Sequence, residues 1–200
     1  MRLPPIVSLS NMLALRAWEK NKSVNPPSVV KQKAVIALAK KYAIRRLVET
    51  GTYLGDMVDA TKKVFEKIDS IELSGELYRD AVRRFRKIKH IKIWNGDSAV
   101  VLAEIINDTA EPILFWLDAH YSGGRTARST LGDTPIEKEL DIIFTRWNPK
   151  SLILVDDARL FVGEHNYPTL PHLKTFLEQK NPHLDLTVEN DIIVIRQTRQ

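Results

Sequence analysis

The chain has 200 residues, 44% of them apolar and 28% charged, so it can bury a sizeable core, and its length suits one domain at the usual ~100–200 residues each. It has no cysteine, which excludes disulfides, thiolate nucleophiles and zinc–thiolate centres and agrees with a reducing, cytoplasmic setting. No apolar run approaches the roughly 20 residues that cross a bilayer, and no sustained apolar segment follows Met1–Pro5, so neither a membrane span nor a signal peptide is expected.

The net charge of +5 is unevenly placed. Residues 1–46 hold ten Lys or Arg against one acid, Glu19, which makes that segment +9 and the remainder −4. A basic arm beside an acidic body can attract an anionic substrate or nucleic acid, or it can simply be the solvated surface of a helix.

In chain order, Val7–Trp18 reads as an amphipathic helix, Asn25-Pro26-Pro27-Ser28 as a break, and Ser28–Tyr42 as a second helix with Ser28 as N-cap. These residues, 1–42, form a helical N-terminal extension to a domain spanning 43–200. From Ala43 onward short apolar runs alternate with helical patterns. Strands are expected at Arg45–Glu49, Asp69–Leu73, Ile91–Trp94, Pro112–Leu117 and Ser151–Val155. Helices are expected at Asp56–Lys67, Glu76–Lys87, Ala99–Ile106 and Ile136–Phe144. Such alternation implies an α/β fold with a parallel sheet buried on both faces. Leu184–Val188 and Ile192–Arg196, joined by Glu189-Asn190-Asp191, add an antiparallel hairpin, which brings the sheet to seven strands.

Ligands of a parallel sheet bind beyond the carboxyl ends of its strands. The first strand runs into Glu49-Thr50-Gly51-Thr52-Tyr53-Leu54-Gly55, where glycine permits a sharp turn and close approach of a ligand to the main chain. The helix that follows points its N-terminus at the same place. After the second strand come Glu72 and Leu73, and Glu72 lies about 20 residues beyond Gly51, where an acid can accept both ribose hydroxyls of a nucleoside. Asn95-Gly96-Asp97-Ser98 follows the third strand, Asp118-Ala119-His120 the fourth, and Asp156-Asp157 the fifth. One acid at a strand end commonly caps the next helix. Five strand ends in succession, each carrying an acid, point to a ligand site. The spacing of the glycines is not the dinucleotide fingerprint, and no Gly-Lys-Ser/Thr follows Gly51, which excludes a Walker A loop.

The segment Glu49–Gly55 resembles the first motif of class I S-adenosylmethionine (AdoMet) methyltransferases, E/D-x-G-x-x-x-G, at each fixed position, and the order of elements over 43–200 is similar to theirs. The resemblance implies a Rossmann-like fold. It also implies AdoMet as cofactor, held by Glu49, Gly51, Thr52, Tyr53, Gly55, Glu72, Leu73, Gly96, Asp97, Ser98 and Asp118.

If strands four and five are neighbours, Asp118, Asp156 and Asp157 converge, and carboxylates that close need a cation among them. Hard oxygen ligands suit Mg²⁺. This trio resembles the metal site of metal-dependent O-methyltransferases, most closely those that act on macrolide sugars, whose last pair is Asp-Asp. That resemblance implies a divalent ion that lowers the pKa of a substrate hydroxyl and orients it for methyl transfer. The acceptor would then be a small molecule such as a sugar or polyketide. Asp118 and His120 are the candidate catalytic residues, with His120 as general base. The glycine-rich insert Tyr121–Asp133 departs from the family pattern and has the composition of a mobile substrate loop. Arg125, Arg128 and Arg159 are candidates to bind a phosphate or carboxylate on the substrate. His165 is an alternative base, in a loop with Tyr167.

Two other classes fit the same residues. One is an RNA methyltransferase that grips phosphates with the basic arm, and the other a non-catalytic AdoMet-binding module. The basic stretch Arg79–Lys92 is better explained as the outer face of a packed helix, and the Asn/Asp-Pro-Pro-aromatic motif of amino-methylating nucleic-acid enzymes is absent. The N-terminal arm is open to roles as lid, docking surface or homodimer contact.

Overall fold

Seven strands form one sheet in the order β3-β2-β1-β4-β5-β7-β6. The computed structural model describes residues 9–22, 25–107, 110–118 and 135–198. Strands β1 (Arg46–Thr50), β2 (Lys67–Glu72), β3 (Ile91–Asn95), β4 (Ile113–Leu117) and β5 (Leu152–Val155) pair in parallel. The hairpin of β6 (Leu184–Glu189) and β7 (Ile192–Gln197) joins antiparallel to β5. The chain order reverses between β1 and β4, and beyond that point both neighbours leave a crevice at their carboxyl ends.

The sheet is buried on both faces, which is why β4 and β5 read as unbroken apolar runs. Alternate residues feed two cores. Leu47, Leu114, Trp116, Leu152 and Leu154 pack with α2 (Ser28–Lys41), α3 (Asp56–Thr61) and α4 (Gly75–Phe85) through Val35, Ala39, Val58, Ala81 and Phe85. On the other face, Val48, Phe115, Leu117, Ile153 and Val155 pack with α5 (Ser98–Ile106), α6 (Ile136–Thr145) and α7 (Leu170–Lys180). Helix α1 (Leu9–Asn21) contacts α2. Among the described residues no helix is long and apolar enough to cross a membrane.

Two local expectations are corrected, and one helix was not expected. The helix expected over 56–67 ends at Thr61, whose hydroxyl donates back to the Met57 carbonyl; Glu66 and Lys67 instead donate to the Arg45 carbonyl as the chain enters β2. Ser28 is the first helical residue of α2 rather than its cap: Pro27 occupies the cap position and makes no side-chain cap bond. Helix α7 is absent from the sequence expectations. Thr169 caps it by accepting from the His172 amide, Pro171 lies in its first turn, and Leu173 and Leu177 bury one face.

At the amino edge of the sheet, Arg46 is 3% exposed and donates to Asp69 (3.0 Å), Glu111 (3.1 Å) and the Ile105 carbonyl (3.0 Å). Asp69 also accepts from the Trp94 indole, so it depends on buried partners from two directions. Removing one member of a buried pair leaves a desolvated charge. Arg46→Ala is therefore expected to cost about 3–5 kcal/mol in urea unfolding. The double variant Arg46→Met/Asp69→Asn, which removes both charges, should recover more than half of that loss.

Candidate active site

The carboxyl edge of the sheet is knitted by main-chain bonds that continue the ladder past the strand ends. The amides of Gly51 and Thr52 donate to the Ile71 carbonyl, Gly96 to Glu72, Asp118 to Thr50 and Asp156 to Leu117, at 2.9–3.1 Å. These bonds hold the loops, and with them the acids of four strands, in a row.

The β1 loop turns through two residues with left-handed backbones, Gly51 (φ 85) and Gly55 (φ 77), with Tyr53 (φ 49) between them. A Cβ on Gly55 would meet the Phe85 ring at 2.7 Å, so both conformation and space require glycine there. The turn is fastened to β2: Glu72 accepts from the Tyr53 amide (2.7 Å) and from the Ser74 amide (2.8 Å), one on each carboxylate oxygen. Burial pushes its carboxyl up, against those amide donors. Tyr53 and Leu54 stand exposed on the loop.

Glu49 is 1% exposed, accepts from the Ser70 hydroxyl, and that hydroxyl also meets Thr52 at 2.6 Å. Burial first, then the charges of Asp118, Glu72 and Asp56, push the Glu49 carboxyl up to about 8. Asp97 caps α5 by accepting from the Ala99 amide (2.9 Å), and Ser98 is buried behind it.

Beneath this row lies a residue that sequence reasoning did not find. Glu139 of α6 is 1% exposed beside the hydroxyls of Ser98 and Thr50, and one of its oxygens has no hydrogen-bond partner. Burial pushes its carboxyl up to about 7, with Asp97 and Asp118 adding to the push. No motif marks it. A glutamate inside the otherwise apolar face Ile136, Leu140, Ile143 was the available signal.

The next strand pair holds the second cluster. One residue beyond the pairing of Leu117 with Val155 stand Asp118 and Asp156, and Asp157 follows in a left-handed conformation (φ 56). The cation among these carboxylates is Lys31 of α2. Its ammonium donates to Asp157 (2.6 Å), contacts Asp156 and lies 3.6 Å from Asp191 at the hairpin turn. Arg159, a candidate to bind a phosphate or carboxylate on the substrate, pairs with Asp157 (2.7 Å) and Asp191. Burial, then Asp118, pushes the Asp156 carboxyl up, and Lys31 opposes both. The aspartates in turn keep Lys31 protonated, its pKa raised despite burial.

The residues present therefore do not fit a divalent ion as they stand. An ammonium 2.6 Å from one ligand oxygen and touching another leaves no place for an ion that needs oxygens at 2.0–2.1 Å. Among the described residues no group of three His, Asp or Glu is arranged to hold a metal. His120, Arg125 and Arg128 lie outside the described residues. His165 is exposed in a turn (φ 51), whereas Tyr167 is buried edge-on against Phe161 at 5.3 Å. Beside the cluster, α1 and the hairpin frame a cavity of about 430 Å³ lined by Trp18, Lys22, Pro26, Arg159, Val188 and Asp191, among others.

No protein-family model matches the sequence, and no curated protein matches it. Solved structures do. An O-methyltransferase from Bacillus cereus in complex with S-adenosylhomocysteine (SAH) superposes with a TM-score of 0.63 at 16% identity, covering 96% of this chain and 91% of that one. The O-methyltransferase TomG from Streptomyces achromogenes, involved in tomaymycin synthesis and bound to SAM, gives 0.62 at 15% identity over 94% and 89%. The SAH-bound methyltransferase PaMTH1 from Podospora anserina gives 0.60 at 16% over 100% and 99%. The chain has the methyltransferase fold. Glu72, held by backbone amides, presents carboxylate oxygens, which are acceptors and match the hydroxyls of a nucleoside ribose.

The buried carboxyls of this methyltransferase fold set a pH dependence. Glu49 and Glu139 titrate at about 8 and about 7 when folded, above the 4.5 of an exposed glutamate. The folded protein thus keeps protons that the unfolded chain releases. The associated stability is present below about pH 4.5 and is lost as pH rises through 7 to 8. The urea midpoint should fall between pH 5 and pH 8.5. Glu139→Gln, which mimics the protonated form, should flatten that fall and be the more stable protein at pH 8.5, by on the order of 3 kcal/mol.

Proposed function

We propose that this chain is an AdoMet-dependent methyltransferase that methylates a hydroxyl oxygen of a small molecule. The observation that carries the reading is the Gly51–Gly55 turn fastened to Glu72, placed at the carboxyl edge of a 3-2-1-4-5-7-6 sheet. When bound, AdoMet supplies an electrophilic methyl group.

The chain's residues divide the work by position. Gly51, Thr52, Tyr53 and Gly55 would let the methionine end approach the main chain, with Glu49 behind them. The Glu72 carboxylate would accept from the ribose hydroxyls, beside Leu73. Gly96, Asp97 and Ser98 would border the adenine, with Glu139 beneath. Asp118 stands between this row and the aspartate cluster, where it would receive the proton that the acceptor hydroxyl loses as its oxygen takes the methyl group. The oxygen of the acceptor gains a carbon and the sulfur of the donor loses one, so the products are a methyl ether, SAH and a proton. The cavity lined by Trp18, Arg159 and Asp191, on the far side of the aspartate cluster's Asp191, would give room for an acceptor.

A nucleic-acid acceptor is less well supported. Of the ten cations in residues 1–46, Lys31 and Arg46 are buried in ion pairs and unavailable to phosphate.

SAH at one hundred times its dissociation constant should stabilise the protein by about 2.7 kcal/mol in a thermal-shift titration, whereas NAD should give no shift. Gly51→Ala forces a side chain into φ 85 and crowds the approach to the main chain. The variant should stay folded and bind SAH at least tenfold more weakly. A shift with NAD, or none with SAH, rejects the reading.

A further inference from the structure

We propose that Lys31 takes the place of a divalent metal ion in this active site, so that the protein neutralises its aspartate cluster with its own N-terminal helix and methyl transfer proceeds without added metal. The inference rests on the methyltransferase reading for its catalytic part, but not for its statement about what occupies the cluster.

Geometry supports it from three sides. Asp156 and Asp157 follow β5, and Asp191 lies in the turn just before β7; the Ala158 amide donates to the Asp191 carbonyl at 2.9 Å, fixing the three in one place. Their side chains are 8%, 9% and 2% exposed, so water cannot screen their repulsion. The Lys31 side chain is itself 9% exposed and reaches all three, although it lies 126 residues from Asp157 in sequence. It is placed there by packing, not by chance extension: Val29, Val30 and Val35 bury the flanking turns of α2.

An ammonium and a divalent ion at this point exclude one another. Both are cations, and both would use the same oxygens of Asp156 and Asp157. Arg159 adds a second positive charge on Asp157 and Asp191, further reducing the attraction for a metal. The consequence is a site whose cation cannot be removed by a chelator. It also ties the N-terminal helix to the chemistry, because the charge balance of the cluster fails if α2 leaves.

The test uses the full chain and Mn²⁺ as the probe, followed by calorimetry and by electron paramagnetic resonance of free Mn²⁺. Wild type is expected to bind no Mn²⁺ at the cluster up to millimolar concentration. Lys31→Met, which keeps the stem and removes the charge, should bind Mn²⁺ at least tenfold more tightly than wild type. Adding Asp157→Asn to that variant should abolish the gain. Lys31→Arg should behave as wild type.

Submillimolar Mn²⁺ binding by wild type that is lost in Asp156→Asn overturns the proposal. So does a folded Lys31→Met variant that binds Mn²⁺ no better than wild type. If Lys31→Met does not fold, the wild-type titration and its Asp156→Asn control still decide. SAH binding is read on the same samples: its absence would reject the methyltransferase reading and leave the competition between Lys31 and the metal standing or falling on the Mn²⁺ data alone.

Discussion

Carboxylates crowded at the carboxyl edge of the sheet are the constraint on which the rest of this structure depends. Parallel strands end side by side, and each loop is bonded to the neighbouring strand, so the acids of β1, β2, β4 and β5 cannot move apart. Like charges held close in a buried place must be protonated, hydrogen-bonded or matched by a cation. The protein uses all three answers. Glu49 and Glu139 are pushed toward the protonated form, Glu72 is bonded by two amides, and Asp156, Asp157 and Asp191 gather around Lys31 and Arg159.

This arrangement gives the N-terminal helices a purpose beyond covering the sheet. One side of α2 is ordinary core: Val35 and Ala39 pack with Leu47, Trp116 and Leu154. Its first turn carries the charge that the aspartates require. Apolar burial sets where the helix lies, and that placement delivers the ammonium. A long-range ion pair of this kind adds little net stability once desolvation is counted, but removing one partner from it is costly. Its value here lies in fixing position.

Acids at strand ends also do local work. Asp97 bonds the first turn of α5, as a helix cap does at any strand end. Glu139 is the opposite case. It sits in a helix face that packing alone would make apolar, and one of its oxygens is left without a partner. A buried polar group of this sort is kept at a cost of roughly 1–3 kcal/mol, which sets it apart from the capping acids around it.

Much of the fold was legible in the amino-acid sequence because the signals are local. Apolar runs such as Leu152–Val155 mark strands buried on both faces, and Gly51 and Gly55 mark a turn that other residues cannot make. The row of acids after successive strands followed from the same reading, since register is fixed by chain connectivity. Local signals failed where neighbours decide: β2 claims Lys67 from a helical pattern, and α7 is settled by the pocket for Leu173 and Leu177. The identity of the cation in the aspartate cluster was out of reach altogether. The sequence determined that strands four and five are each followed by acids, which would need a positive charge if those strands lay side by side. Only the tertiary structure decided that the charge is Lys31, because the contact spans 126 residues and depends on how α2 packs across the sheet.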